Sequence, residues 1–123
     1  MKKVLVVDDQ YFIRDTFKKH LENFKDIEVI EAANGDEALG KMLVVKPDLI
    51  LLDLVMPNKD GLTVLKEMRD DVVAREIPVI VISSHAAKEV MDTAKGYGAK
   101  EFIDKTQLNN SDFMGVVLKY LGM

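Results

Sequence analysis

The chain has 123 residues, 48% of them hydrophobic and 31% charged, the balance of a single globular domain spanning 1–123. A net charge of -4 and a pI near 5.2 argue against a standing basic surface for nucleic acid, and the lack of cysteine excludes thiol chemistry, disulfides and cysteine-ligated zinc. The apolar stretch after Met1 is too short for a signal peptide, and no run approaches the roughly 18 apolar residues of a transmembrane helix, so a cytoplasmic protein without membrane insertion is expected.

Val4-Leu5-Val6-Val7 is an unalternating, β-branched run, the pattern of a strand covered on both faces. From Gln10 to Phe24, apolar residues at Phe12, Ile13, Phe17, Leu21 and Phe24 keep helical spacing, with Arg14, Lys18, Lys19 and Glu22 on the wet side. Ile27 to Ile30 alternates and predicts a short edge strand. Asn34 is a candidate N-cap with acids behind it, opening a helix that Pro47 ends. Leu49 to Leu52 is a second fully buried strand, closed by Asp53. After the turn Asn58-Lys59-Asp60-Gly61, the residues Leu62, Leu65 and Met68 stripe a third helix. Pro78 to Ile82 is another buried strand, Ala86 to Lys95 a weaker helix, Glu101 to Ile103 a last short strand and Asp112 to Leu121 a last helix. Asn109, Asn110 or Ser111 is the expected cap of that helix, which Gly115 weakens by about 1 kcal/mol. Met42, Met68 and Met91 are expected in the core, and His20 on the surface.

Five β-α repeats with continuous apolar strands demand a parallel sheet covered by helices on both sides. The expected architecture is a flavodoxin-like (βα)5 three-layer sandwich with strand order 2-1-3-4-5. Ligands of such sheets bind beyond the strand C-termini, at the switch in strand order. The residues predicted there are Asp8 and Asp9 after the first strand, Asp53 at the third, Ser83, Ser84 and His85 after the fourth, and Asp104 and Lys105 after the fifth. Three carboxylates brought together repel, and an oxygen-seeking divalent cation relieves them; Mg2+ fits because it takes few protein ligands and keeps several waters. Lys105 offers a compact positive charge and Ser83 a donor, both suited to a phosphate. In that arrangement Asp53 is the nucleophile of a phosphoryl transfer, giving an aspartyl phosphate.

The segments Leu5-Val6-Val7-Asp8-Asp9, Asp53 through Gly61, Val81-Ile82-Ser83-Ser84 and Phe102-Ile103-Asp104-Lys105 together resemble the receiver domains of two-component response regulators, in order and spacing across the whole chain. The resemblance implies that Asp53 accepts phosphate from a sensor histidine kinase or a histidine phosphotransfer protein. It implies Mg2+ held by Asp9 directly, Asp8 mainly through water, Asp53, and the Val55 backbone carbonyl. Ser83 and Lys105 would contact the phosphoryl group, and Phe102 resembles the family's aromatic switch. A downstream protein target would then read the face made by the fourth helix, fifth strand and fifth helix. Such a protein is a monomer or a phosphorylation-dependent dimer, and assists its own phosphorylation and autodephosphorylation without being a conventional enzyme.

Bland readings stand beside these. Paired acids after a strand can simply favour a helix N-terminus, Phe102 can be plain core, and Asp60-Gly61 reads as turn chemistry alone. Thr106 stands where the family usually has proline, which predicts a trans bond after Lys105 and a different loop path. Val55 and His85, two residues after Asp53 and Ser83, border the phosphate and its attacking water, so both are candidates for tuning phosphate lifetime. With the chain ending where the domain ends, a stand-alone regulator of the chemotaxis kind or a phosphorelay intermediate is expected, or a receiver from a longer regulator. The alternatives are a small Mg2+-dependent phosphohydrolase using Asp53 on a free substrate, and a receiver-like binding module with silent chemistry.

Overall fold

A computed structural model describes residues 1–84, 87–107 and 112–123. The strands are β1 (Lys2–Val7), β2 (Ile27–Ala32), β3 (Leu49–Asp53), β4 (Val79–Ser83) and β5 (Glu101–Asp104). They alternate with α1 (Tyr11–Leu21), α2 (Gly35–Val45), α3 (Gly61–Arg69), α4 (Lys88–Gly96) and α5 (Asp112–Leu121). The sheet is parallel throughout, in the order β2-β1-β3-β4-β5, as the sequence leads one to expect.

Neighbouring residues of one strand feed two separate cores, the reason the strand sequences do not alternate. Val4, Val6, Leu49, Leu51, Ile80 and Ile82 pack with Phe17 and Leu21 of α1 and with Phe113, Val117 and Leu121 of α5. Leu5, Val7, Ile50, Leu52, Val79 and Val81 pack with Ala38 and Met42 of α2, Val64, Leu65 and Met68 of α3, and Ala94 of α4. Helices therefore cover both faces of the sheet.

Local chemistry sets the helix starts. Asn34 Oδ1 accepts from Glu37 N at 2.8 Å to cap α2, and Asp60 Oδ1 accepts from Thr63 N at 2.8 Å to cap α3. The candidate caps of α5, Asn109 to Ser111, lie outside the described residues. No helix among the described residues is long and apolar enough to cross a membrane.

Several expectations about α1 need correction. Phe12 is 75% exposed, and the helix stops at Leu21, leaving Phe24 in the following turn. Arg14, expected on the wet side, has only 14% of its side chain exposed. His20 is half-buried and stacks on the Phe113 ring at 5.5 Å. Phe17 and Leu21 alone are fully buried in α1, with Ile13 packed against them, and Phe12, five residues before Phe17, projects outward. Met91 is half-buried rather than core, whereas Met42 and Met68 are buried.

Candidate phosphoryl and metal site

The ends of β1, β3 and β5 converge at one edge of the sheet. Asp53 is the last residue of β3 and only 3% exposed, while Asp8 follows β1 and is fully buried. Asp9, next along the chain, is exposed. One carboxylate oxygen from each of the three residues falls within 4.8 Å of the others.

Each buried carboxylate is oriented by a backbone donor two residues on. Gln10 N donates to Asp8 Oδ1 at 2.9 Å, and Val55 N donates to Asp53 Oδ1 at 3.2 Å. This short turn chemistry leaves both Oδ2 atoms facing inward. There Lys105 Nζ stands 2.8 Å from Asp8 Oδ2 and 3.1 Å from Asp53 Oδ2, with 12% of its side chain exposed.

Burial pushes the Asp8 carboxyl above the usual carboxylate range, the Lys105 contact and the Gln10 N–H opposing it in part. Burial likewise raises Asp53, and the neighbouring Asp8 charge raises it further against the pull of Lys105. For Lys105, burial alone would lower the pKa. The two carboxylates outweigh it and hold the ammonium above the usual lysine range. Three carboxylates against one ammonium still leave an excess of negative charge. Apart from its ion pair with Lys105, Asp8 Oδ2 is a buried oxygen without a hydrogen-bond partner among the described residues. A hard oxygen donor of this kind in an over-negative pocket is what a divalent oxygen-seeking cation requires.

The loop after β5 brings Lys105 in. Thr106 N and Oγ1 both donate to Asp104 Oδ1, at 2.9 and 2.8 Å, and a short 3-10 turn begins at Lys105. No cis peptide is present among the described residues, in line with the trans bond expected before Thr106. Ser83 ends β4, one residue past Ile82, which pairs with Asp53. Phe102 is half-buried, paired in register with Val81 and packed against the α2-α3-α4 core. Val55 is 79% exposed beside Asp53, and His85 lies outside the described residues.

Sequence reasoning missed two supports of the site. Arg14 Nη1 donates to the Asp8 carbonyl at 2.6 Å while its Nε donates to Glu31 Oε1 at 3.0 Å, tying the end of β1 to the end of β2. Helical periodicity hides this, because an arginine on a polar stripe reads as solvated. Gly61, taken as turn chemistry alone, also makes room for the Asp53 backbone. A Cβ there would lie 2.4 Å from the Asp53 carbonyl oxygen, although Gly61 has an ordinary φ.

A family model described as the response regulator receiver domain matches residues 4–116. A protein-glutamate methylesterase/protein-glutamine glutaminase of Carboxydothermus hydrogenoformans is 41% identical over 107 residues, 84% of this chain and 30% of that protein. The chain thus spans less than a third of the length of such curated relatives. Among solved structures, the response regulator domain of Thermotoga maritima CheB aligns with a TM-score of 0.86 at 28% identity, covering 100% of this chain and 98% of that one. The phosphorylated cyanobacterial phytochrome response regulator RcpA aligns at 0.87 and 28% identity, covering 98% of this chain and 94% of that one.

Proposed function

We propose, for a chain that belongs to the family of response regulator receiver domains, that Asp53 is the acceptor of a phosphoryl group and the protein a phosphorylation-driven signalling switch. The observation that carries this reading is the single ammonium of Lys105 shared between two buried carboxylates, Asp8 and Asp53, at 2.8 and 3.1 Å. Nothing in folding calls for that arrangement; a structural ion pair would need one acid, not two beside a third.

An Asp53 carboxylate oxygen attacks phosphorus in line, forming the new O–P bond as the bond from phosphorus to the donor breaks and its electrons leave with the donor. The donor is the phosphohistidine of a sensor histidine kinase or of a histidine phosphotransfer protein. Lys105 loses its pairing to the free Asp53 oxygen as the reaction proceeds and pairs with the incoming phosphoryl oxygens instead. Ser83 donates its hydroxyl hydrogen to another of those oxygens. Asp9, Asp53 and the Val55 carbonyl, with Asp8 mainly through water, would hold Mg2+, which would supply positive charge to offset the acids and the phosphoryl oxygens. Movement of Ser83 toward the phosphoryl group vacates space for Phe102, and the face of α4, β5 and α5 changes for a downstream protein.

The residues assist the protein's own phosphorylation and hydrolysis. The esterase activity in the relatives' names is not assigned to this stretch, which spans under a third of them. The cytoplasm is the compartment where a kinase donor would meet it. The test is intact mass after incubation with a small acyl phosphate and Mg2+. A phosphoryl adduct on wild type that is absent from Asp53→Asn supports the switch. Turnover without adduct favours a phosphohydrolase, and no reaction a silent binding module.

A further inference from the structure

The loop that leaves Asp53 is pinned at two ends. At its base, Gly61 N donates to the Leu54 carbonyl at 3.0 Å, and Met56 is buried in the core. Asn58 takes a left-handed turn at φ 69. At its outer end, Lys59 Nζ donates to both Glu67 oxygens, at 2.9 and 2.8 Å, and lies 3.2 Å from Asp36 Oδ1. Glu67 belongs to α3 and Asp36 to the first turn of α2. Gly35 is wedged beneath, since a Cβ there would stand 2.6 Å from the Lys59 carbonyl oxygen and 2.8 Å from Lys59 Cβ.

Of the other lysine pairs, Lys19 with Asp15 links residues of one helix, and Lys41 pairs with Glu37 of its own helix and donates to the Glu31 carbonyl of β2. Lys59 differs because its side-chain partners lie on two helices while its own backbone belongs to the β3-α3 loop that leaves Asp53. Only 23% of its side chain is exposed. Between this clasp and Asp53 sits Val55, whose N–H already orients the Asp53 carboxylate.

We propose that Lys59 is a positioning residue for the phosphoryl site: by bridging Asp36 and Glu67 it fixes the loop carrying Val55, and so sets divalent-cation affinity and the lifetime of the aspartyl phosphate. This rests on the function proposed above. A loop held in the binding-competent position pays no population penalty when the cation arrives, whereas a released loop is competent only part of the time. The effect is a tuning one, because partly exposed ion pairs are individually weak.

The test uses the full chain as wild type, Lys59→Met, Glu67→Gln, the double variant and Lys59→Arg. Three quantities are read: Mg2+ dissociation constant by calorimetry without phosphodonor, half-life of the phosphoryl adduct, and thermal midpoint. Lys59→Met and Glu67→Gln are expected to weaken Mg2+ by about 3- to 10-fold and to shift the half-life, with the double variant no worse than either single change. Lys59→Arg, which can keep both oxygens of Glu67, restores wild-type values. Unchanged Mg2+ affinity and half-life in Lys59→Met overturn the proposal, including when the thermal midpoint falls. A wild type that binds Mg2+ but forms no adduct contradicts the phosphoryl reading instead, and the Mg2+ comparison still judges Lys59.

Discussion

Asp8 and Asp53 are held away from water at 0% and 3% exposure, and burial raises both above the ordinary carboxylate range. A carboxylate raised in the native state favours the fold only below its unfolded pKa, and that contribution is lost as pH rises through the native value. At neutral pH the charged Asp53 therefore works against the metal-free fold. Asp53→Asn is expected to unfold at higher denaturant than wild type in chelator. Urea titrations between neutral pH and the acid range should show that advantage shrinking as pH falls, and Mg2+ should abolish it for wild type. At neutral pH the charged Lys105, by contrast, favours the fold. Its raised pKa contributes stability below the usual lysine range that is lost only as pH climbs through the native value. Val55 makes a kinetic prediction at the same scale. Its exposed apolar side chain cannot orient water at the phosphoryl group. Val55→Asn should lose phosphate about tenfold faster, measured as decay of the adduct after the donor is removed, and equal rates would remove Val55 from the account.

At the scale of elements, two glycines of one sequence type have opposite consequences. Gly61 opens α3 with no space for a Cβ, because the Asp53 carbonyl would be 2.4 Å and the Leu54 Cα 2.7 Å away. Gly115 lies exposed in α5 with nothing within 4 Å. Gly61→Ala is expected to cost about 1–3 kcal/mol through forced displacement of the β3-α3 loop. Gly115→Ala should instead add about 0.5–1 kcal/mol, close to the intrinsic helix difference. Thermal unfolding of the two variants checks both signs. The helix-capping sequence marked Asn34 correctly because its chemistry is local, a side chain bonding a backbone N–H three residues on; Asp60, read as turn chemistry alone, makes the same bond for α3. Periodicity failed at Phe12 and Arg14 because a broad apolar stripe does not say which of its edges is covered, and here Phe17 and Leu21 set the buried side.

For the whole molecule, strand order followed from the run of five apolar segments joined by helical ones, since right-handed parallel crossovers leave few arrangements. The same topology brings Asp8, Asp53 and Lys105 together from strands 45 and 52 residues apart in sequence (53 − 8 and 105 − 53), which is why the constellation was legible from strand ends alone. Its supports were not legible. Arg14 on the Asp8 carbonyl, Lys59 between α2 and α3, and Thr106 on Asp104 depend on side-chain reach and loop path, which no spacing rule encodes. Family membership identifies the chain as a receiver domain, and the chemistry at Asp53 is the claim that remains to be measured. The most direct measurement is to locate the phosphoryl group. After reaction with a small acyl phosphate and Mg2+, reductive trapping of the acyl phosphate followed by peptide mass mapping should convert residue 53, and no other carboxylate, to its alcohol. Trapping at Asp8 or Asp9, or none in a protein that has bound Mg2+, would contradict the account.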